Sequence, residues 1–422
     1  MTASRNPGIF SLSASLRWGT LLVLAGWGTA CTGTARADDF SDALSQGTAT
    51  LEVRPRYETV DQTGLQDAEA FTVRTMLGYT TAPFDGLSAS VQLIDVAHAG
   101  NAYNSLRNGE TKYATIRDPG GANVNQAFVS YAGLPQTTIK AGRQIIALDD
   151  QRFVGNVNFA QNMQTFDAVT IENGSIPYTT LHAGYIWGIK NVLNEYVPTQ
   201  TYLAEGSVAR FKFLKIDGFG YWYGNDASRV IPGAVACAVV GIRACNSATY
   251  GVRVSGTVSL PATIKLSYEG TFANQRPYDG GSALINADYW HAGAKITFAP
   301  VSLGLDEMVM GSNSNGSYGF QTPLATRHAF NGWAETFLTT PAKGLNSKYI
   351  TLGIAPEKLT LQASYYDYHS DYQSLHYGSE WDLSAGYPLT SYLKATVEYA
   401  DYHAEGFGLT TRAAWGYLTL NL

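Results

Sequence analysis

Apolar and polar residues alternate along most of this chain with a period of two. Leu51, Val53 and Tyr57 interleave with Glu52, Arg54, Arg56 and Glu58. Phe71, Val73, Leu77 and Tyr79 interleave with Thr72, Arg74 and Gly78. Ile264, Leu266 and Tyr268 alternate with Lys265, Ser267 and Glu269, and Leu393, Ala395, Val397 and Tyr399 with Lys394, Thr396 and Glu398. Successive strand side chains point to opposite faces, so each run has one apolar and one polar face. The pattern predicts eighteen strands: 48–59, 70–80, 87–96, 123–132, 138–147, 165–172, 178–187, 203–213, 216–224, 248–258, 262–273, 286–298, 301–311, 346–355, 360–369, 377–387, 391–402 and 410–422.

The connections alternate in length. After even strands they are tight, as at Gly133-Leu134-Pro135, Asn173-Gly174-Ser175, Leu260-Pro261 and Ala299-Pro300. After odd strands many are long: 97–122, 148–164, 188–202, 225–247, 274–285 and 312–345. A soluble β-sandwich needs neither that asymmetry nor an apolar face on every strand. The expected fold is all-β: a transmembrane antiparallel barrel of about 18 strands, with short periplasmic turns and long extracellular loops. An even count puts both termini on the periplasmic side. The last strand alternates Leu418, Leu420 and Leu422 with Tyr417, Thr419 and Asn421, the type of end that outer-membrane assembly machinery reads, here closing on Leu rather than the commoner Phe.

Composition narrows the class. Of 422 residues 15% are charged, against about 25% in ordinary soluble domains. No apolar run approaches the ~18 residues of a membrane helix. A formal net charge of −6 argues against nucleic acid as a partner. At the start, Arg5 and Arg17 precede the apolar stretch 21–27, and Ala35-Arg36-Ala37 follows. This reads as a secretory signal peptide over 1–37, cut near Ala37. A lipoprotein reading through Cys31 is weaker, because Gly28 stands where Leu is wanted. A short periplasmic segment, 38–47, then precedes the barrel at 48–422. Export leaves two cysteines, Cys237 and Cys245, in one predicted loop. With no histidine beside them to complete a zinc site, they are expected to form a disulfide staple.

Two longer motifs carry a family resemblance. One is Gly142-Arg143-Gln144 with Asp150-Gln151-Arg152-Phe153-Val154-Gly155 and Gln164-Thr165-Phe166-Asp167-Ala168. The other is Thr322-Pro323-Leu324-Ala325-Thr326 with His328-Ala329-Phe330-Asn331-Gly332-Trp333-Ala334. Both resemble the alginate-export family of outer-membrane porins, and Phe71-Thr72-Val73-Arg74-Thr75 resembles its early strands. The resemblance implies an eighteen-stranded barrel in the outer membrane that passes polar or anionic solutes, alginate-like uronate saccharides among them. Residues 145–148 lack the added arginines expected of an alginate exporter, which counts against alginate itself as the solute.

With the apolar faces turned to lipid, the lumen is expected to carry Arg54, Arg56, Arg74, Lys140, Arg210, Lys212, Arg253, Lys265, Lys295 and Lys394, against Glu52, Glu58, Glu269, Glu380, Asp382 and Glu398. Arg143 and Arg152 join the basic set through the family-like motif. Arg143 falls out of phase with Lys140 unless a bulge lies near Gly142. A basic surplus favours anions; the alternative is mixed charges that pair across the lumen. Phe330, Asn331 and Trp333 in the longest loop are candidates either for narrowing the pore or for an interfacial girdle.

Catalytic patterns are not found. The seven histidines are scattered and sit in no nucleophile-elbow, zincin or phosphate-loop context. His369, His376 and His403 fall near Asp367 and Asp371, but without ligand spacing no metal is assigned, and transport needs no cofactor. The expected activity is a passive channel, with a small polar or anionic solute or an oligosaccharide as cargo. The competing classes are a lipid-active outer-membrane enzyme and a receptor or adhesin barrel.

Overall fold

A computed structural model describes residues 39–225, 245–261 and 263–422. The signal segment with its cleavage at Ala37, Cys31 and Cys237 lie outside these residues. Cys245 is disulfide-bonded. A short helix, α1 (Phe40–Ser45), is capped by the Asp39 carboxylate, which accepts from the Asp42 amide at 2.8 Å. It docks at the short-turn end of the barrel, where the Ala82 amide donates to the Ala43 carbonyl.

Eighteen antiparallel strands follow: β1 (Thr48–Gln62), β2 (Ala68–Thr80), β3 (Leu87–Ala99), β4 (Gly121–Leu134), β5 (Thr137–Gln144), β6 (Thr165–Asn173), β7 (Thr179–Lys190), β8 (Tyr196–Phe211), β9 (Leu214–Tyr223), β10 (Ser247–Ser259), β11 (Lys265–Pro277), β12 (Ala287–Phe298), β13 (Val301–Met310), β14 (Leu345–Ile354), β15 (Thr360–His369), β16 (His376–Pro388), β17 (Leu393–Ala404) and β18 (Thr411–Asn421). Each pairs with its sequence neighbours, and β1 pairs with both β2 and β18, so the sheet closes. Closure leaves no edge for lipid to meet, the condition a sheet must satisfy to cross a membrane.

The outer face is apolar. Leu77, Val91, Leu93, Val129, Phe272, Leu305 and Val397 all project outward and exposed. Aromatics ring the short-turn rim at Tyr178, Phe213, Phe298 and Tyr392, and Tyr185, Trp187, Tyr202 and Tyr250 stand toward the other rim.

One strand departs from the alternation. β8 begins at Tyr196 rather than 203, so the expected long loop 188–202 reduces to the turn 191–195. Pro198 hides the strand signal. It pairs with Gly188 beside a register shift between Ile186 and Gly188, where a missing amide is tolerated.

The barrel is filled from above. Connections 100–120, 145–164 and 311–344 turn inward and bury Ile116, Ile146, Val154, Phe320, Leu324 and Phe337. Phe153 packs among Phe219, Tyr289 and Phe320. Phe337 packs among Tyr368, Tyr402 and Phe407. Removing such side chains from water contributes about 1.5–3 kcal/mol each, which offsets part of the entropy lost in ordering the loops.

Candidate solute constriction

The inner wall at β1–β2 presents three guanidinium groups. Arg54 and Arg56 are two apart on β1, and Arg74 on β2 is the cross-strand partner of Arg54. All three are buried, so their mutual repulsion must be offset locally. Arg74 Nε donates to Glu52 Oε1 at 2.8 Å. Arg56 pairs with Glu58 at 3.0 Å and with Asp118, which arrives on the β3–β4 connection. Arg54 faces backbone instead. Its guanidinium donates to the carbonyls of Asn158 (2.9 Å), Phe159 (3.0 Å) and Ala160 (2.8 Å), and to Gln161 Oε1 (2.9 Å). Arg56 adds a bond to the Phe159 carbonyl at 2.8 Å. The rigid five-donor fork of arginine suits this task, because one side chain grips several turn carbonyls at once. The segment 158–161 of the β5–β6 connection is thereby pinned to the wall.

The same connection is held elsewhere. Arg253 on β10 pairs with Asp150 at 3.0 Å and Glu269 at 2.6 Å. Lys215 on β9 pairs with Asp149 and Asp217, each at 2.8 Å. Arg152 has a different setting. It donates to Asn331 Oδ1 at 3.1 Å, meets Met310 Sδ, and lies 5.4 Å over the Tyr289 ring and 5.1 Å over that of Phe330.

The β13–β14 connection docks on the wall of β15–β18. The amide of Ala334 donates to Glu380 Oε1 at 2.7 Å, and that of Trp333 to Asp382 Oδ2 at 3.3 Å. Gly332, at φ +87°, makes the approach possible: a Cβ there would collide with Glu380 Oε2 and the Tyr368 hydroxyl. The inward connections then meet one another. Gly155 donates to the Leu324 carbonyl at 2.9 Å, and Thr326 to that of Gln151 at 3.1 Å. Phe159 stacks on His328 at 3.4 Å, and Trp333 lies parallel to the same imidazole at 6.1 Å. Arg117 pairs with Glu335 at 2.5 Å. Beside this junction is a cavity of about 100 Å³ lined by Glu58, Arg117, Trp333, Glu335 and Trp415.

Glu335 shows how tight the junction is. Burial alone would raise its carboxyl, but the His328 imidazole, with Nδ1 3.3 Å from Glu335 Oε1, and the Arg117 charge hold it down at about 2, against an ordinary 4.5. A carboxylate depressed on folding contributes stability that is fully present above its ordinary value and lost only as pH falls through the depressed one. The difference in protease protection of the 311–344 connection between wild type and Glu335→Gln should therefore be constant from pH 7 down to about 4.5 and shrink below it. It should close only toward pH 2. A difference gone by pH 4 would contradict the pairing.

The structure places the sequence-derived residues unevenly. Arg54, Arg56, Arg74, Arg152 and Arg253 all lie inside the barrel, as do Phe330, Asn331 and Trp333 from the longest loop. Lys140, Lys265, Lys295 and Lys394 sit on the inward phase of their strands toward the short-turn end, and Lys140 lies 5.4 Å over the Phe128 ring. Three assignments are corrected. Arg143 is on the outer face. Its cross-strand neighbour Ala127 is exposed, no register shift falls at Gly142, and the guanidinium is neutralised by Asp167 at 2.7 and 3.0 Å. Arg210 is exposed at the β8–β9 turn over the rings of Tyr178 and Phe211, because the strand shifts register after Val208. Lys212 is likewise exposed in that turn.

Sequence reasoning also missed the lumenal acids. Asp118, Asp149, Asp150 and Glu335 fall within the connections 97–122, 148–164 and 312–345 expected to be extracellular, yet the folded loops carry them inward onto Arg56, Lys215, Arg253 and Arg117. The surplus of basic groups therefore does not survive folding. The overlooked signal was apolar content: Ile146, Val154, Phe320 and Phe337 lie in segments that would waste them in water.

Comparisons with known proteins fit this geometry. Residues 48–182 match the family model described as alginate export. No curated protein matches the chain. Among solved structures, Acinetobacter baumannii OccAB2 is similar at a TM-score of 0.70 and 13% identity, covering 90% of this chain and 99% of that one. Pseudomonas aeruginosa OccK8 (OprE) is similar at 0.69 and 12%, covering 90% and 98%. Pseudomonas aeruginosa OpdK, solved with vanillate, is similar at 0.66 and 13%, covering 90% and 99%. At these identities the likeness establishes the fold. The chain has the closed eighteen-stranded barrel fold of these solved structures, and over residues 48–182 it matches the family model described as alginate export.

Proposed function

We propose that the protein is a passive outer-membrane channel for small polar and anionic solutes, with its size limit set where the three inward connections meet. The observation that carries this reading is the double anchoring of those connections: Arg54, Arg56 and Arg74 grip one wall side, and Glu380 and Asp382 hold the other. A fixed constriction inside a closed barrel filters by width and lining polarity, and needs no chemical step. Arginine and aromatic faces around the junction suit a carboxylate on a flat body. The similar barrel solved with vanillate, an aromatic carboxylate, supports that solute class. Uronate saccharides belong to the same class, and the family match keeps them among the solutes to test.

Purified protein in planar bilayers should give stepwise conductance. In liposome swelling, permeation should fall steeply from monosaccharides to trisaccharides. Silent bilayers would remove the channel reading, and release of fatty acid from phospholipid by the same preparation would favour a lipid-active enzyme.

A further inference from the structure

We propose that the extracellular tip of the β15–β16 hairpin is a binding site for a first-row divalent transition metal, of the zinc type, formed by Asp367, His369 and His376. The channel reading does not require such a site. The three residues are brought together by a local irregularity. Asp367 and His369 are two apart and share a face of β15. His376 opens β16, and the register shifts between Tyr368 and His369 so that the two histidines stand directly opposite. Gly378, at φ +142°, accommodates the shift.

One donor atom from each residue lies within 4.8 Å of the others. His376 Nε2 is 3.0 Å from Asp367 Oδ1, and His369 Nδ1 is 3.7 Å from Asp367 Oδ2. Ligand atoms bonded tetrahedrally at ~2.0–2.1 Å stand about 3.3 Å apart, so these separations bracket what an ion needs. Glu405, from the β17–β18 connection, is 2.8 Å from His376 Nδ1. It is placed to accept the Nδ1–H, which directs the Nε2 lone pair at the metal. A carboxylate behind a ligating imidazole in this way fixes the ring and raises its basicity.

The donor set selects the ion. Two imidazoles and one carboxylate suit zinc, nickel, cobalt or copper, whereas magnesium and calcium prefer all-oxygen shells. Three protein ligands leave a fourth position for water, and the half-exposed side chains leave entry open from outside. The second carboxylate cluster, Asp149, Glu205 and Asp217, differs because the Lys215 ammonium already lies between two of its members.

The test is calorimetric titration of untagged, full-length protein in detergent with Zn²⁺, and separately with Mg²⁺. One zinc per barrel is expected, with no magnesium heat at the same concentrations. His376→Ala and His369→Ala should each weaken zinc binding at least about tenfold, and Glu405→Gln about tenfold through the orientation it removes. Co²⁺ should give the visible absorption of a low-symmetry four-coordinate ion, lost in His376→Ala. The substitutions sit at a hairpin tip, and heat-modifiable migration on a gel confirms that each barrel is closed. Zinc binding unchanged in both histidine variants, or absent in wild type at millimolar ion, overturns the site.

Discussion

Replacing Arg54 and Arg56 together by alanine should raise single-channel conductance by about one and a half- to threefold. The two side chains supply five hydrogen bonds to the 158–161 segment, at 2.8–3.0 Å. Hydrogen bonds to a charged donor contribute about 1.5–3 kcal/mol each, and neighbouring ones share some of that value. Their loss also strands buried acids. Asp118 and Glu58 lose the Arg56 guanidinium, and an unpaired buried carboxylate costs several kcal/mol. Both effects favour the segment moving out toward water. The part at 149–155 stays anchored through Arg253 and Lys215, so the gain is a widened passage rather than an empty barrel. The wall itself should survive, because the β1–β2 and β1–β18 ladders are made by backbone groups. Arg54→Lys with Arg56→Lys separates charge from geometry. Lysine keeps the cation but not the fork, so it should give an intermediate conductance. Unchanged conductance in the alanine pair, with closed barrels on a gel, would mean that 158–161 does not bound the passage.

Much of this arrangement was legible before folding, and the reason is the solvent. A strand that crosses lipid must turn apolar side chains outward, so the phase of Leu51, Val53 and Tyr57 fixes where Arg54 and Arg56 point. The same logic predicted Arg74, Arg253, Lys265 and Lys394 inside. It failed at Arg210, and at Arg143 the family-like motif misled where the phase did not. Arg210 lies where β8 shifts register, and a shift of one residue exchanges the faces. Arg143 obeys the phase and sits outside, where Asp167 neutralises it. The destination of the loops was illegible because docking has no period. Nothing local in Asn158-Phe159-Ala160-Gln161 announces that its carbonyls meet guanidinium groups about a hundred positions earlier. Its sign is indirect: three arginines in one patch of wall need acceptors, and the strands supply too few.

Charge selectivity is where this matters most. Neutralising Arg74 and Arg152 together, as Arg74→Gln with Arg152→Gln, should move the zero-current potential toward the cation side, by about a two- to threefold change in the permeability ratio. The two arginines contribute differently. Arg152 is held by Asn331, Met310 and two aromatic rings, and no carboxylate is among these contacts, so its charge acts directly on the lumen. Arg74 is paired with Glu52, so its removal acts by uncovering that carboxylate. Fields from either extend over a Debye length of ~8–10 Å at ordinary salt and are focused by low-dielectric walls. The shift should therefore shrink as salt rises. Because the folded loops bring Asp118, Asp149, Asp150 and Glu335 inward, wild-type anion preference should be modest, not the strong bias a count of strand arginines suggests. Arg152→Gln alone should give a measurable part of the shift with little change in conductance, since its loop keeps the other anchors. A wild type that is strongly cation-selective at low salt, or a zero-current potential unmoved by the double substitution, would place Arg152 outside the permeation path and leave width as the main filter.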